Sequence, residues 1–255
     1  MKKIFFVLCT ILICVSLSTV IASATDGNKS LSWYCIRQKE HGRPPLPKEF
    51  EFISEYDGYY IGSDEKVIFL TFDVGYENGN VAKTLDILKE NNVPGAFFIL
   101  SNLVNKNSEL VKRMKDEGHL ICNHTSKHPD MSKITSKNDF ERELNALEEL
   151  CREKTGENVS KYFRPPEGKF SEQTLQFAKE LGYKTVFWSF AYADWDNKNQ
   201  MSETAAKNKI LSNIHNGAVI LLHPTSETNT KILGELIMEL KNQGYRFGSL
   251  DELKR

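Results

Sequence analysis

Cysteine and proline are scarce in this chain, with five cysteines and eight prolines in 255 residues. So few cysteines exclude a disulfide-stapled scaffold, and a chain of this length buries a large core without staples. An excess of positive charge is missing as well. The 33 Lys+Arg face 34 Asp+Glu, which argues against a nucleic-acid binder working through bulk charge. There is no internal repeat, low-complexity tract or interdomain linker. A hydrophobic fraction of 40% with 26% charged residues is ordinary for one folded globular core.

The first residues stand apart from the rest. Met1-Lys2-Lys3 is a short positive end, Ile4 to Val20 is almost wholly apolar, and Ala22-Ser23-Ala24 has the small-x-small pattern of a signal-peptidase site. Residues 1–24 therefore read as a signal peptide, and the remaining chain as exported, to the cell wall or another extracytoplasmic space. An uncleaved membrane anchor is the alternative, because the apolar run comes close to spanning length. Cys14 follows the bulky Ile13, which argues against a lipoprotein signal. Cleavage after Ala24 leaves Cys35, Cys122 and Cys151, and an odd number cannot all pair within one chain.

Residues 25–65 form an irregular lead-in rich in aromatics (Trp33, Tyr34, Tyr56, Tyr59, Tyr60). From residue 66 onward the pattern is regular. Strand-like apolar runs occupy 67–73, 95–100, 119–123, 184–190, 218–223 and 245–250, with a weak one near 160–164. Helical spacing occupies 80–91, 107–117, 137–155, 171–181, 203–214 and 230–243, and Gly118, Gly156, Gly182 and Gly244 stand where helices end. Alternating apolar strands and amphipathic helices define an α/β fold with a parallel sheet. Periodicity does not choose between a barrel and an open sheet.

Parallel α/β folds gather reactive groups where strands end. The polar residues there are Asp73, His124 with His128, Arg164 and Glu167 in RPPEG, Asp194-Trp195, and His223. Each has a plain structural reading: a turn aspartate, surface histidines, a solvated loop charge. Their coincidence at one end of successive strands points instead to a single pocket. Two imidazoles at i, i+4 reach one ion, and neutral imidazole suits zinc and similar divalent metals. Such an ion polarises a carbonyl and acidifies its water. Asp73 is the candidate general base and His223 the candidate acid on the leaving-group side. Arg164 would keep the base ionised, and Asp194 would keep a histidine charged.

TFDVGYENG (71–79), HTSKH (124–128), RPPEG (164–168), ADW (193–195) and LLH (221–223) resemble the five ordered motifs of the polysaccharide deacetylases, carbohydrate esterase family four, which carry the NodB homology domain. The match spans nearly all of residues 66–255. The phrases GYENG, RPPEGKFSEQTL and VFWSFAYADW are most similar to the sporulation, PdaA-type branch, which acts on N-acetylmuramic acid on the route to muramic δ-lactam in spore cortex. The resemblance implies a distorted (β/α) barrel of about seven repeats and a monomer. It makes Asp73 the base, Arg164 its orienting partner, His124 and His128 the metal ligands, and Asp194 the residue that tunes the acid His223. Trp195 and Leu221 would line the acetyl pocket, with Tyr76 and Glu167 as further substrate-binding positions. A backbone N–H of the RPPEG loop would hold the oxyanion.

Two departures qualify the resemblance. Most members carry a second aspartate after the base, completing an Asp-His-His metal triad, and this chain has Val74. Glu167 stands where many members have tyrosine. The leading expectation is an exported, metal-dependent de-N-acetylase acting on peptidoglycan glycan strands, in the cell wall or the forespore intermembrane space. The alternatives are deacetylation of chitin oligomers or N-acetylglucosamine residues, and a catalytically weak cell-wall binding protein. No second carboxylate pairs clearly with Asp73, which argues against a glycosidase.

Overall fold

The segment Val67–Val74 is apolar at nearly every position, as a strand covered on both faces requires. It forms the central strand of the molecule, with all eight residues buried. The computed structural model describes residues 27–253; residues 1–24, read above as a signal peptide, lie outside them with Cys9 and Cys14. In chain order the elements are β1 (Leu31–Ser32), a 3₁₀ stretch (Lys48–Tyr56), β2 (Gly58–Tyr59), β3 (Val67–Val74), α1 (Asn80–Glu90), β4 (Gly95–Ile99), α2 (Ser101–Lys106), α3 (Ser108–Asp116) and β5 (Leu120–Asn123). They continue with α4 (Lys137–Thr155), β6 (Ser160–Phe163), β7 (Lys169–Phe170), α5 (Glu172–Glu180), β8 (Lys184–Val186), α6 (Glu203–Leu211), β9 (Ala218–Leu222), α7 (Glu227–Asn242) and β10 (Arg246–Phe247).

The large sheet is parallel and runs β9-β3-β4-β5-β6-β8-β2, with β10 beside the start of β3. Its register sets Leu70 opposite Gly95 and Ile68 opposite Ala218. The sheet curls back on itself beyond β8. Phe190 bridges to Ile220, and the Leu221 N–H donates to the Phe190 carbonyl at 2.9 Å. The α/β barrel expected from the motifs is therefore present, distorted because this seam carries only a bridge where a full ladder would run.

The pleat of β3 decides what faces where, because successive side chains point to opposite faces. Val67 and Phe69 join Ala96, Phe98, Val186 and Val219 inside the curl. Ile68, Leu70, Phe72 and Val74 belong to the larger apolar cluster shared with Leu85, Val111, Leu147, Ile210 and Leu236 of the surrounding helices. Local signals fix the helix ends. The Ser136 hydroxyl accepts the Asp139 N–H to open α4, and Gly156 closes it in the left-handed conformation that costs glycine nothing.

Several boundaries differ from the periodic reading. The apolar run 184–190 is strand only to Val186, because the chain then turns out to carry Trp188 and Ala191 to the barrel mouth. Helix α7 begins at Glu227, capped by Ser226, rather than at residue 230. The short α2 shows no sequence period. No helix among the described residues is long and apolar enough to cross a membrane. Cys35, Cys122 and Cys151 are all free thiols.

The lead-in is more regular than its composition implies. β1 pairs antiparallel with β7, and β2 extends the sheet beside β8. Trp33 stacks on Phe187 at 4.4 Å and on Phe50 at 5.2 Å, and its indole N–H donates to the Trp188 carbonyl. Its backbone N–H donates to the carbonyl of Gly168. Gly168 has φ +66°, and an added Cβ would lie 2.8 Å from the Trp188 ring, so both conformation and space require glycine. The lead-in thus straps two loops of the barrel mouth. Trp33→Ala is expected to cost about 3–5 kcal/mol in urea unfolding, the usual scale for emptying a buried aromatic site. A loss below about 1 kcal/mol would mean that the strap carries little of the stability.

Candidate active site

The inward face of β3 ends in Thr71 and Asp73, and both meet Arg164, which follows the end of β6. Arg164 is 0% exposed. Its Nη1 donates to Asp73 Oδ1 at 2.8 Å, Nη2 to Thr71 Oγ1 and the Phe187 carbonyl, and Nε to the Val186 carbonyl. The guanidinium also lies 4.1 Å from the Phe98 ring centre. A buried cation on this many fixed partners cannot swing away, and its one carboxylate partner is Asp73. Burial pushes the Asp73 pKa up, but the charge and hydrogen bond of Arg164, helped by the imidazoles of His124 and His223, outweigh it and hold the carboxyl below the usual range. Asp73 is thus held as a carboxylate.

His124 and His128 sit on a loop held by Asn123. The Asn123 side chain accepts from the Thr125 N–H at 2.9 Å and donates to the Leu144 carbonyl and the Tyr183 hydroxyl. Thr125 and His128 both adopt positive φ, 74° and 61°, and the His128 N–H donates to Thr125 Oγ1. Left-handed conformations at non-glycine residues are strained and concentrate at functional sites. His124 Nδ1 donates to the Arg164 carbonyl at 2.8 Å, which leaves Nε2 facing Asp73 Oδ2 at 3.5 Å. Burial pushes the His124 pKa down to about 4 despite the nearby Asp73, so the ring is neutral at neutral pH. Two lone-pair atoms then confront one another without a proton between them. A cation on the imidazole, with its water turned towards Asp73, relieves that contact. The two rings lie 5.0 Å apart at 73°. His124 and His128 therefore fit a divalent ion as a two-imidazole platform. Among the described residues no group of three or more metal-binding side chains converges.

Opposite them, His223 Nδ1 meets Asp194 Oδ1 at 2.7 Å, and the His223 backbone N–H donates to Asp194 Oδ2 at 2.8 Å. Burial alone would lower the His223 pKa; the bond and charge of Asp194, with help from Asp73, reverse this and raise it. The Trp195 ring lies edge-on to His223, centroids 6.0 Å apart, and is 60% exposed.

Asp73, His124, His128, Glu167, Trp195, Leu221 and His223 all line one cleft of about 590 Å³ at the barrel mouth, together with Gly168, Trp188, Ala191 and Tyr192. Arg164 and Asp194 lie beneath it. Tyr76 stands outside the cleft wall, exposed, with its hydroxyl accepting from Asn197. Glu167 turns at φ 57° on the rim, its carboxylate paired with Lys169 at 2.6 Å. Val74 is buried in the helix-side cluster, so the position after the base offers nothing to the imidazoles. Thr71, Trp188 and Tyr192 lie within the quoted phrases, and Asn123 just before one, but none is singled out by the sequence, because they support the site by packing and hydrogen bonding and have no reactive signature. A wider groove of about 860 Å³ between α1 and α3 holds no comparable set; its Lys89, Arg113 and Glu117 are engaged with one another.

An ionised, arginine-held aspartate facing an aspartate-held histidine across paired imidazoles, at the mouth of an α/β barrel, defines a hydrolase that combines a general base with a general acid. Comparison with known proteins gives the class its family. Residues 61–186 match the family model described as polysaccharide deacetylase. The chain is 42% identical over 228 residues to the peptidoglycan-N-acetylmuramic acid deacetylase PdaA of Bacillus subtilis, covering 89% of this chain and 86% of that one. It is 32% identical over 209 residues to a peptidoglycan-N-acetylglucosamine deacetylase of Bacillus cereus, covering 80% and 74%. The solved structure of Bacillus subtilis PdaA, a family 4 carbohydrate esterase, superposes with a TM-score of 0.85 at 41% identity, covering 89% of this chain and 97% of that one. The chain belongs to the polysaccharide deacetylases of carbohydrate esterase family 4.

Proposed function

We infer that the chain removes the acetyl group from N-acetylmuramic acid residues of peptidoglycan, on the route to muramic δ-lactam in spore cortex, and that it works outside the cytoplasmic membrane. The observation that carries the chemistry is the opposition of Asp73 and His223 across one cleft, the carboxylate held by Arg164 and the imidazole held by Asp194, which favours its protonated form. The substrate assignment is supported by the muramic acid deacetylase that shares 42% of its sequence with this chain over most of both lengths. Export is supported by the pattern of residues 1–24.

In this reading the acetyl methyl lies against Leu221 and Trp195. Asp73 takes a proton from the attacking water, whose oxygen bonds to the acetamide carbon. A backbone N–H of the Arg164–Gly168 loop faces the oxygen that gains charge. The carbon–nitrogen bond then breaks, His223 gives its proton to the departing amine, and acetate leaves. A divalent metal held by His124 and His128, zinc by the preference of imidazole, supplies carbonyl polarisation and a more acidic water. Mass spectrometry of cell-wall digests, with and without the protein, tests the substrate. Muramic residues are expected to lose acetyl while glucosamine residues keep theirs. Loss from glucosamine alone would overturn the assignment.

Val74→Asp probes the incomplete metal shell. A carboxylate forced into an apolar cluster is costly, so the metal-free variant is expected to melt below wild type. Position 74 ends its strand, and turning the new carboxylate towards the imidazoles completes a three-ligand set. Added zinc is therefore expected to raise the Tm of the variant more than that of wild type. Equal increments would mean that residue 74 stays on the helix side.

A further inference from the structure

We propose that Asn229, in the first turn of α7, is a positioning residue of the acid half of the site, acting through Asp194 on His223. This rests on the reading of His223 as general acid. Asn229 is buried, 4% exposed, although it occupies the third position of a helix whose first turn usually meets solvent. Its backbone N–H donates to the Ser226 hydroxyl, which caps the helix and aims the Asn229 side chain back beneath His223. Nδ2 donates to Asp194 Oδ2 at 2.5 Å, and Oδ1 accepts from the buried Tyr192 hydroxyl. The amide orientation follows from the partners. An ionised carboxylate only accepts, so the NH₂ end faces Asp194 and the carbonyl end is left for Tyr192.

Asp194 thereby receives three hydrogen bonds. Oδ2 takes the Asn229 amide and the His223 backbone N–H, and Oδ1 takes His223 Nδ1–H. Fixing Oδ2 on two donors points Oδ1 at the imidazole and holds the tautomer in which Nε2 faces the cleft. The Asn229 donor also draws off part of the Asp194 charge, which moderates how strongly the carboxylate retains the proton on His223. The titratable and charged groups facing His223 are Asp194, Asp73 and Arg164. Of these Asn229 bonds only Asp194; its Nδ2 also reaches the backbone carbonyl of His223, at 3.4 Å, and not the ring.

Asn229→Leu removes the donor at similar volume, and Asn229→Ala removes it by truncating the side chain. Both variants are compared with wild type by circular dichroism, by steady-state kinetics on peptidoglycan over a pH range, and by ¹⁵N NMR titration of the His223 ring. An uncompensated Asp194 holds the His223 proton more tightly. The ring pKa, and with it the alkaline limb of kcat/KM, is therefore expected to rise by about half a unit or more in both Asn229→Leu and Asn229→Ala. In both variants kcat is expected to fall about tenfold, with KM within about twofold of wild type. A His223 titration that does not move, or moves down, in either folded variant would overturn the proposal, as would a loss confined to KM. If one variant does not fold, the other decides. The NMR titration needs no substrate. A failure of the deacetylase reading, seen as His223→Ala leaving amide hydrolysis intact, is therefore distinguishable from a failure of the role given to Asn229.

Discussion

Asp73→Asn is expected to lower kcat/KM towards the upper end of the roughly 10²–10⁴-fold range for a lost general base, while bound metal stays near the wild-type level. The amide fills the same space and still offers an oxygen to Arg164 Nη1, now 2.8 Å from the carboxylate. It cannot take a proton from water. The change also leaves the fully buried guanidinium without its counter-charge, so the variant is expected to melt earlier than wild type, and rates must be taken well below that transition. Metal analysis separates the roles. Content close to wild type is the expected result, because the ion is assigned to His124 and His128. A loss as large as in His124→Ala would make Asp73 a ligand and overturn its assignment as base.

The second large effect falls on the leaving group. His223→Ala is expected to cost roughly 10²–10⁴-fold on amide substrates and much less on activated esters, whose departing oxygen needs little protonation. The sign of the pH effect follows from Asp194. His223 titrates above its ordinary value of 6.5, so the acid form is kept to higher pH than in a free imidazole and is lost as pH rises past the elevated pKa. Asp73 titrates below the usual carboxylate range, so the base form persists into mildly acidic solution. The kcat/KM profile is expected to be a bell with its alkaline limb above pH 6.5, and His223→Ala should remove that limb while leaving the acid limb in place. Equal damage to amides and esters would make His223 a structural histidine.

How much of this was legible in the sequence depended on whether a residue's role is local. Reactive side chains at strand ends carry their own signature, and Asp73, His124, His128 and His223 could be picked out from strand endings and spacing. Arg164 and Asp194 were readable in the same way, because a charged residue next to an apolar strand needs a reason. The role of Val74 was not readable. Only the register and pleat of β3 show that alternate residues go to opposite faces, which puts Asp73 inside the curl and Val74 under the helices.

Long-range pairing hid the rest. β2 is two residues long and is a strand only because β8 lies beside it, and the barrel seam depends on the bridge between Phe190 and Ile220. The aromatics of the lead-in were visible, but their purpose was not. Trp33 earns its burial against Phe187, which is distant in sequence. Asn229 looks like an ordinary polar residue in a first helical turn until the fold sets it against Asp194.

The central claim is that paired imidazoles and an opposed base and acid hydrolyse an N-acetyl amide of peptidoglycan. It is tested most directly by measuring acetate release and new free amines together on peptidoglycan strands, first with the protein stripped of metal by a chelator and then with zinc restored. The account predicts negligible release from the stripped protein, recovery on adding zinc, and one acetate for each amine that appears on muramic residues. Release that is indifferent to chelation, or acetate without matching amines, would contradict it.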